Sequence, residues 1–134
     1  MTKAHLLVWL VCLAGCRAAR EETPETAYRA FAAAANKSDD AVAFARLTTG
    51  SQQAVRDRLA RLSAASGGSL RDDAASLMFR GGRGSTITTV QVLKKVQDSA
   101  TVAVSTGERT QEVTLRREGS EWRVELPLVQ PASP

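Results

Sequence analysis

The chain has 134 residues and a formal net charge of +4, and its 18 lysines and arginines are interleaved with 14 acidic residues. This length suits one domain, and the charge lacks the concentrated basic face typical of nucleic-acid-binding proteins. The only histidine, His5, and one of the two cysteines, Cys12, lie in the first fifteen residues. A chain cleaved after them has no imidazole and no thiol besides Cys16, which excludes Ser-His-Asp triads, Cys-His pairs, the common zinc sites and disulfides.

The N-terminus has the pattern of an export signal. A basic start at Lys3 precedes an apolar run from Leu6 to Leu13, which is far shorter than the about 20 residues of a membrane-spanning helix. The segment Leu13-Ala14-Gly15-Cys16 resembles the lipobox of bacterial lipoproteins. That resemblance implies cleavage before Cys16, lipidation of Cys16 with fatty acids such as palmitate, and a lipid-anchored position on the periplasmic face of the cell envelope. Because Arg17 and not an aspartate follows, it implies the outer membrane more than the inner one. The alternative is a simple cleaved secretory signal.

The first helix of the mature chain has clear start signals. Thr23 is a good N-cap, Pro24 suits the first helical position, and Glu25 complements the helix dipole. Apolar residues at helical spacing then form one face: Ala27, Tyr28, Phe31, Ala34 and Ala35. The predicted segments are a signal peptide over residues 1–15, a lipidated tether over 16–22, one domain over 23–127 and a flexible tail over 128–134.

Two further helices are predicted before the chain becomes rich in glycine and serine. Ser38 or Asp39 can cap a short second helix, which we expect to end at Thr48-Thr49-Gly50. Ser51 then starts the clearest helix, which glycines stop at Ser66-Gly67-Gly68. Its apolar residues recur at helical spacing: Val55, Leu59 and Leu62. The pattern of residues 69–80 predicts at most one or two further helical turns.

After the joint Gly81-Gly82-Arg83-Gly84 the period changes from helical to alternating, which predicts strands. Four segments alternate: Val90 to Val96, Val102 to Val104, Val113 to Leu115, and Trp122 to Leu126. Short turn signals separate them: Asp98-Ser99, Thr106-Gly107-Glu108 and Glu118-Gly119-Ser120. Short turns favour an antiparallel meander. Helices first and a one-sided sheet after them give an α+β domain.

This order of elements resembles the nuclear transport factor 2-like superfamily (cystatin-like, SnoaL-like). The residues that carry the resemblance are Thr23-Pro24-Glu25 before an aromatic helix, and Gly119 followed by Trp122 and Val124 on the last strand. More narrowly, the chain resembles the small lipoproteins of that superfamily. The resemblance implies a cone of N-terminal helices packed on a curved four-stranded antiparallel sheet. If the chain were an enzyme of the superfamily, the resemblance would also imply an acidic residue inside the cone that acts as a general base.

Residue types suited to catalysis are scarce. Tyr28, on the apolar face of the first helix, is more typical of a core residue than of a catalytic one. The adjacent acids Asp39-Asp40 and Asp72-Asp73 are typical of helix starts. Lys94 shares the parity of the neighbouring valines, so it points inward or sits near a strand end, and at an edge it would discourage aggregation. We predict no catalytic residue, no metal and no cofactor. The candidate residues for the lining of a cavity are Tyr28, Phe31, Lys94 and Trp122.

Three functions remain in competition. The first is a non-catalytic envelope lipoprotein whose domain binds a small ligand or a protein partner, including a second copy of itself. The second is a small-molecule isomerase or cyclase that uses an acid in the cavity. The third is a weakly basic surface module that contacts anionic envelope polymers, with binding sensitive to salt. The sequence favours the first, with the membrane reached through the N-terminal lipid and no nucleic acid as partner.

Overall fold

A computed structural model describes residues 20–79 and 86–127 of the chain. Four helices come first and four strands follow: α1 (Pro24–Asn36), α2 (Asp40–Ala45), α3 (Thr49–Ala65), α4 (Ala74–Phe79), β1 (Thr89–Val96), β2 (Ser99–Thr106), β3 (Arg109–Glu118) and β4 (Glu121–Glu125). This order confirms the predicted α+β class. The predicted signal peptide, Cys16, the glycine-rich joint and the tail lie outside the described residues.

Helix ends are set by side-chain and glycine caps. At α1, Thr23 and Thr26 form a capping box, because the backbone N–H of each donates to the hydroxyl of the other, at 3.0 and 3.3 Å. The carboxylate of Asp39 accepts from the backbone N–H of Val42 at α2. The end of α3 is a Schellman motif around Gly67, whose φ of 63° is left-handed. These three ends confirm the predicted cap residues.

One predicted boundary is wrong. The segment Thr48-Thr49-Gly50 does not end the second helix, which stops at Ala45, but begins the third. The reason is that the Thr48 hydroxyl accepts the backbone N–H of Ser51 at 3.2 Å and so serves as the N-cap of α3. Glycine at position 50 is then a residue of the first helical turn.

The sheet is an antiparallel meander in the order β1-β2-β3-β4, with β1 and β4 at its two edges. Each hairpin loop has two residues, and the first of them has a positive φ: 49° at Gln97, 64° at Gly107 and 64° at Gly119. This is the pattern of type II′ turns, whose twist matches that of the paired strands. The edge of β4 is partly covered, because Thr48 and Arg46 exchange backbone hydrogen bonds with Val124.

A bulge in β1 changes which side chains face the helices. Val92 pairs with Val102, but the next pair along the strand is Lys94 with Thr101, so Leu93 is the extra residue. Lys94 therefore leaves the parity of the valines and lies exposed near the end of the edge strand. Of the two positions that the sequence left open for Lys94, the one near a strand end is confirmed.

The core lies between α1, α2 and one face of the sheet. Its buried residues come from both layers: Ala27, Tyr28, Phe44, Leu47, Ala100, Val102, Val104, Leu115, Trp122 and Val124. Partly buried residues from Phe31 to Leu126 pack around this cluster. A chain that starts at residue 16 keeps every one of these residues, so the domain has its own hydrophobic core without the predicted signal peptide.

Candidate ligand-binding site

Two aromatic side chains of α1 lie where the helix crosses the sheet. Tyr28 and Phe31 are three residues apart, so both lie on the helix face that packs on the strands. Their ring centroids are 5.8 Å apart with planes inclined by 48°, a tilted aromatic pair. Phe31 also lies 6.3 Å from the ring of Phe79 at the end of α4. The three rings form one apolar wall.

The first cavity lies beyond the end of β4. Strand β4 pairs only with Thr114–Glu118, so the earlier part of β3 runs past it. The space of about 570 Å³ left there is lined by Tyr28, Phe31, Gln111, Glu112, Val113, Thr114, Val124, Glu125, Leu126 and Pro127. Leu126 is held in place because its backbone N–H donates to the hydroxyl of Ser51 at 2.9 Å.

The second cavity lies on the other side of the same aromatic residues. It measures about 390 Å³ and is lined by Tyr28, Phe31, Ala32, Ala35, Asn36, Phe79, Ile87, Thr106, Arg109 and Gln111. The two cavities share three residues: Tyr28, Phe31 and Gln111. Their individual volumes fall within the range of small-molecule sites, about 300 to 1,000 Å³.

Tyr28 supplies a neutral hydroxyl to this site. The residue is 7% exposed. Burial raises the pKa of the phenol above its ordinary value of 10.0, and a side-chain hydrogen bond with Gln111 acts in the opposite direction. The effect of burial on the pKa is the larger of the two, because burial destabilises the phenolate more than the hydrogen bond with Gln111 stabilises it. At neutral pH the hydroxyl and the Gln111 amide can therefore donate and accept hydrogen bonds in a lining that combines apolar with other polar side chains.

Charged residues lie at the rims of the cavities. Glu125 is engaged, since one carboxylate oxygen pairs with the guanidinium of Arg116 at 2.8 Å. Glu112 and Arg109 are exposed. The arrangement suits non-covalent binding of a molecule with an apolar body and one or two polar groups. The part of the chain in residues 20–79 and 86–127 holds no group of three or more histidine, cysteine or acidic residues placed to bind a metal.

The four residues proposed from the sequence to line a cavity do not lie together in the structure. Tyr28 and Phe31 line both cavities. Trp122 is 2% exposed and belongs to the core near the opposite end of the sheet, where its backbone N–H donates to Glu22 at 3.2 Å. Lys94 is exposed on β1 and lines neither of the two cavities. Cys16 lies outside the described residues.

Two important residues were missed in the sequence. Gln111 has the parity of Val113 and Leu115 on β3, so a polar side chain at an apolar position was a readable signal. Phe79 gave no such signal, because it reaches Phe31 only through the packing of α4.

Comparisons with known proteins give no family. No protein-family model matches the chain, and no curated protein and no solved structure was found to be similar to it. Among the helices of the described ranges, none is both long and apolar enough to cross a membrane.

Proposed function

We propose that the protein is a non-catalytic lipoprotein of the cell envelope, anchored through Cys16, whose domain binds a small ligand between Tyr28, Phe31 and Gln111. The observation that carries the binding function is the pair of adjoining cavities around these residues, about 570 and 390 Å³ in volume. The anchor is supported by the lipobox-like segment Leu13-Ala14-Gly15-Cys16. Acylation of both the thiol and the new amino terminus would give stable attachment, because more than one lipid chain is needed for it.

The lining indicates the chemistry of the ligand. Three aromatic rings and several aliphatic side chains favour an apolar, partly flat molecule. The Tyr28 hydroxyl and the Gln111 amide favour a carbonyl, hydroxyl or amide on that molecule. Because a polar ligand group that pairs with the buried Tyr28 hydroxyl is strongly preferred to one that leaves it unpaired, Tyr28 would set the specificity, with the exposed Gln111 amide as a second polar partner.

Catalysis is the weaker alternative. A general base must reach the proton that it removes and must be able to accept it. The phenol of Tyr28 stays protonated at neutral pH because burial raises its pKa. Glu125 is in an ion pair with Arg116, and Glu112 is exposed at the rim. The two carboxylates near the site are thus either ion-paired or exposed, and neither is placed beside the Tyr28 hydroxyl as a free buried acid.

A cavity-filling comparison tests the binding function. The probe is N-phenyl-1-naphthylamine, a neutral aromatic amine whose fluorescence rises in apolar surroundings, added to the chain from residue 16 with Cys16→Ser. Ala32→Phe fills the second cavity and Val113→Phe fills the first, whereas Ala33→Phe adds the same ring on the exposed side of α1. We expect the two filling variants to weaken binding and Ala33→Phe to leave it unchanged. Equal binding by all three variants, or no binding by the parent chain, would refute the proposal.

A protein partner is a second candidate, and one observation favours it. The edge of β3 from Arg109 to Val113 runs past β4, and no strand within residues 20–79 and 86–127 pairs with it. Such an edge can accept an extended peptide as an added strand, with side-chain pockets alongside for specificity. The first cavity adjoins this edge. Binding of this kind would protect the backbone amides of Thr110 and Glu112, which point away from β2, from hydrogen exchange, and the naphthylamine would not.

A further inference from the structure

The residues just before α1 lie at one end of the sheet. The carboxylate of Glu21 pairs with Arg117 at 2.8 Å. The carboxylate of Glu22 pairs with Arg46 at 2.8 Å and accepts the backbone N–H of Trp122 at 3.2 Å. These contacts hold the residues before α1 against the end of the sheet that carries the β3–β4 turn.

The last residues of β1 lie at the same end. The backbone N–H of Arg117 donates to the carbonyl of Asp98 in the β1–β2 turn at 2.8 Å. The ammonium of Lys95 lies 5.4 Å from the centre of the Trp122 ring. Both cavities lie toward the opposite end, near the β2–β3 turn and the residues after β4.

Four consecutive residues at this end of β1, Leu93, Lys94, Lys95 and Val96, form what we call the β1 patch. All four are exposed, with Leu93 at 51% and Val96 at 53%, the highest values among the exposed large apolar residues of the described chain. No acidic residue occurs from Thr86 to Gln97. Lysines on an edge strand can serve only to discourage aggregation, but that role does not account for two exposed aliphatic side chains beside them.

The two lysines of the β1 patch differ in their surroundings: Lys95 pairs with buried Ala100 and its ammonium lies over the Trp122 ring, whereas Lys94 pairs with Thr101 on the opposite face of the sheet. Acids on neighbouring elements are engaged by arginines: Glu21 by Arg117, Glu22 by Arg46, and Glu118 and Glu121 by Arg123. Within residues 20–79 and 86–127, neither Lys94 nor Lys95 forms an ion pair. Asp98 is the nearest acid along the chain. The exposed edge of β1 therefore presents two cations, one toward each face of the sheet, beside two apolar side chains.

We infer that the β1 patch is a contact surface for anionic phospholipid, and that it holds the sheet end of the domain on the membrane that carries the N-terminal lipid. The inference rests on the proposed anchor at Cys16. Arg20 is the fourth residue after Cys16, and four residue steps span at most about 14 Å. Attraction of basic residues to an anionic membrane falls off within a Debye length, about 8 Å at physiological salt. The short tether keeps the patch close to that range, with Arg17 and Arg20 adding positive charge.

Two consequences follow for the anchored protein. The apolar side chains Leu93 and Val96 enter the interfacial layer while the lysine ammonium groups contact lipid phosphates. Because the cavities lie toward the other end of the sheet, their mouths are turned away from the membrane. A ligand would then reach Tyr28 from the aqueous side.

Sedimentation with lipid vesicles tests the inference. The protein is the chain from residue 16 with Cys16→Ser, so that binding does not depend on the anchor. Vesicles of phosphatidylcholine with an equal part of phosphatidylglycerol are compared with vesicles of phosphatidylcholine alone. We expect binding to the anionic vesicles that weakens with salt, and a loss of about tenfold or more in Lys94→Gln/Lys95→Gln, since each lysine near such a surface contributes about a fivefold factor. Leu93→Asn should also weaken binding, because the apolar contact is lost.

The matched control is Arg58→Gln/Arg61→Gln, which removes two exposed cations from α3. Equal losses in the two pairs, or equal binding to both kinds of vesicle, would overturn the inference. If the lysine pair matters but Leu93→Asn has no effect, the contact is electrostatic without entry of apolar side chains into the lipid, and the inference is wrong. Failure here is distinguishable from failure of the proposed function, because naphthylamine binding and the lipid on native Cys16 are measured separately.

Discussion

Ser51 joins the start of α3 to the end of β4, and its hydroxyl can be removed with little change of shape. The residue is 1% exposed. Its hydroxyl oxygen accepts a hydrogen bond from the Thr48 hydroxyl at 2.8 Å and another from the backbone N–H of Leu126 at 2.9 Å. Ser51→Ala leaves both donors without this acceptor.

The size of the effect can be worked from these contacts. Each buried donor left unsatisfied costs about 1 to 3 kcal/mol. The half-buried Leu126 N–H can regain water, and alanine is the better helix former by about 0.5 kcal/mol. We therefore expect the free energy of unfolding to fall by about 2 kcal/mol, which corresponds to about 1 M in the urea midpoint for a slope of about 2 kcal/mol per M.

Urea unfolding followed by circular dichroism measures this directly. Ser63→Ala is the matched control, because Ser63 is a half-buried serine of the same helix whose backbone carbonyl, and not its hydroxyl, accepts a hydrogen bond. We expect Ser63→Ala to change stability by less than about 0.5 kcal/mol. If Ser51→Ala costs no more than Ser63→Ala, the hydroxyl does not join the two elements as described.

Three further predictions concern the turn, the N-terminal contacts and the cavity. Gln97→Gly should raise the free energy of unfolding by about 1 kcal/mol, because Gln97 is a non-glycine residue at a φ of 49°. The control Asp98→Gly should lower the free energy of unfolding. Urea midpoints that shift in the same direction in both variants would contradict this. Glu22→Ala should lower the free energy of unfolding, measured with urea, by about 1.5 kcal/mol, and Glu21→Ala should lower it much less. The reason is that Glu22 is partly buried and also accepts the Trp122 backbone N–H, whereas Glu21 is exposed. Equal losses in the two variants would contradict this prediction. Tyr28 is the only tyrosine, so the absorbance of its phenolate should titrate above pH 10.0, and Gln111→Leu should raise that pKa further. Because the pKa of Tyr28 is higher in the folded than in the unfolded chain, the contribution of Tyr28 to the free energy of unfolding is fully present below pH 10.0 and is lost as the pH rises through the folded pKa. An ordinary pKa of Tyr28 in the native protein would show that this residue is not buried.

Local signals in the sequence were sufficient for the elements but not for all of their ends. Thr23 predicted the start of α1 because its capping depends on residues a few positions away. Thr48 was assigned to the wrong helix, since a threonine between two helices can end one or cap the next. The choice depends on Val124, which pairs with the segment around Thr48 from a distant strand.

The position of Lys94 depended on a detail that periodicity does not carry. Alternation along β1 placed Lys94 with the valines, but the bulge at Leu93 moved it to the other parity. A bulge is a feature of strand pairing, so it is visible only once the register with β2 is known.

The candidate site could be predicted only in part. Tyr28 and Phe31 follow from the helical period of α1. Trp122 had the same apolar character, but it is in the core near the other end of the sheet, because the β3–β4 turn places it there. The first cavity arises where β4 stops short of the start of β3, which depends on the relative lengths of two strands rather than on any single residue. The second cavity depends on how α1 and α4 pack beside the start of β3.

The most direct test of the account is nuclear magnetic resonance of the isotope-labelled chain from residue 16 with Cys16→Ser, titrated with N-phenyl-1-naphthylamine. The central claim is that the domain binds an apolar ligand around Tyr28, Phe31 and Gln111. It predicts that the largest shift changes occur at these residues and at their neighbours in the two cavities, while the Trp122 indole stays unchanged. Changes centred on the β1 patch or on Trp122, or none at all, would contradict it.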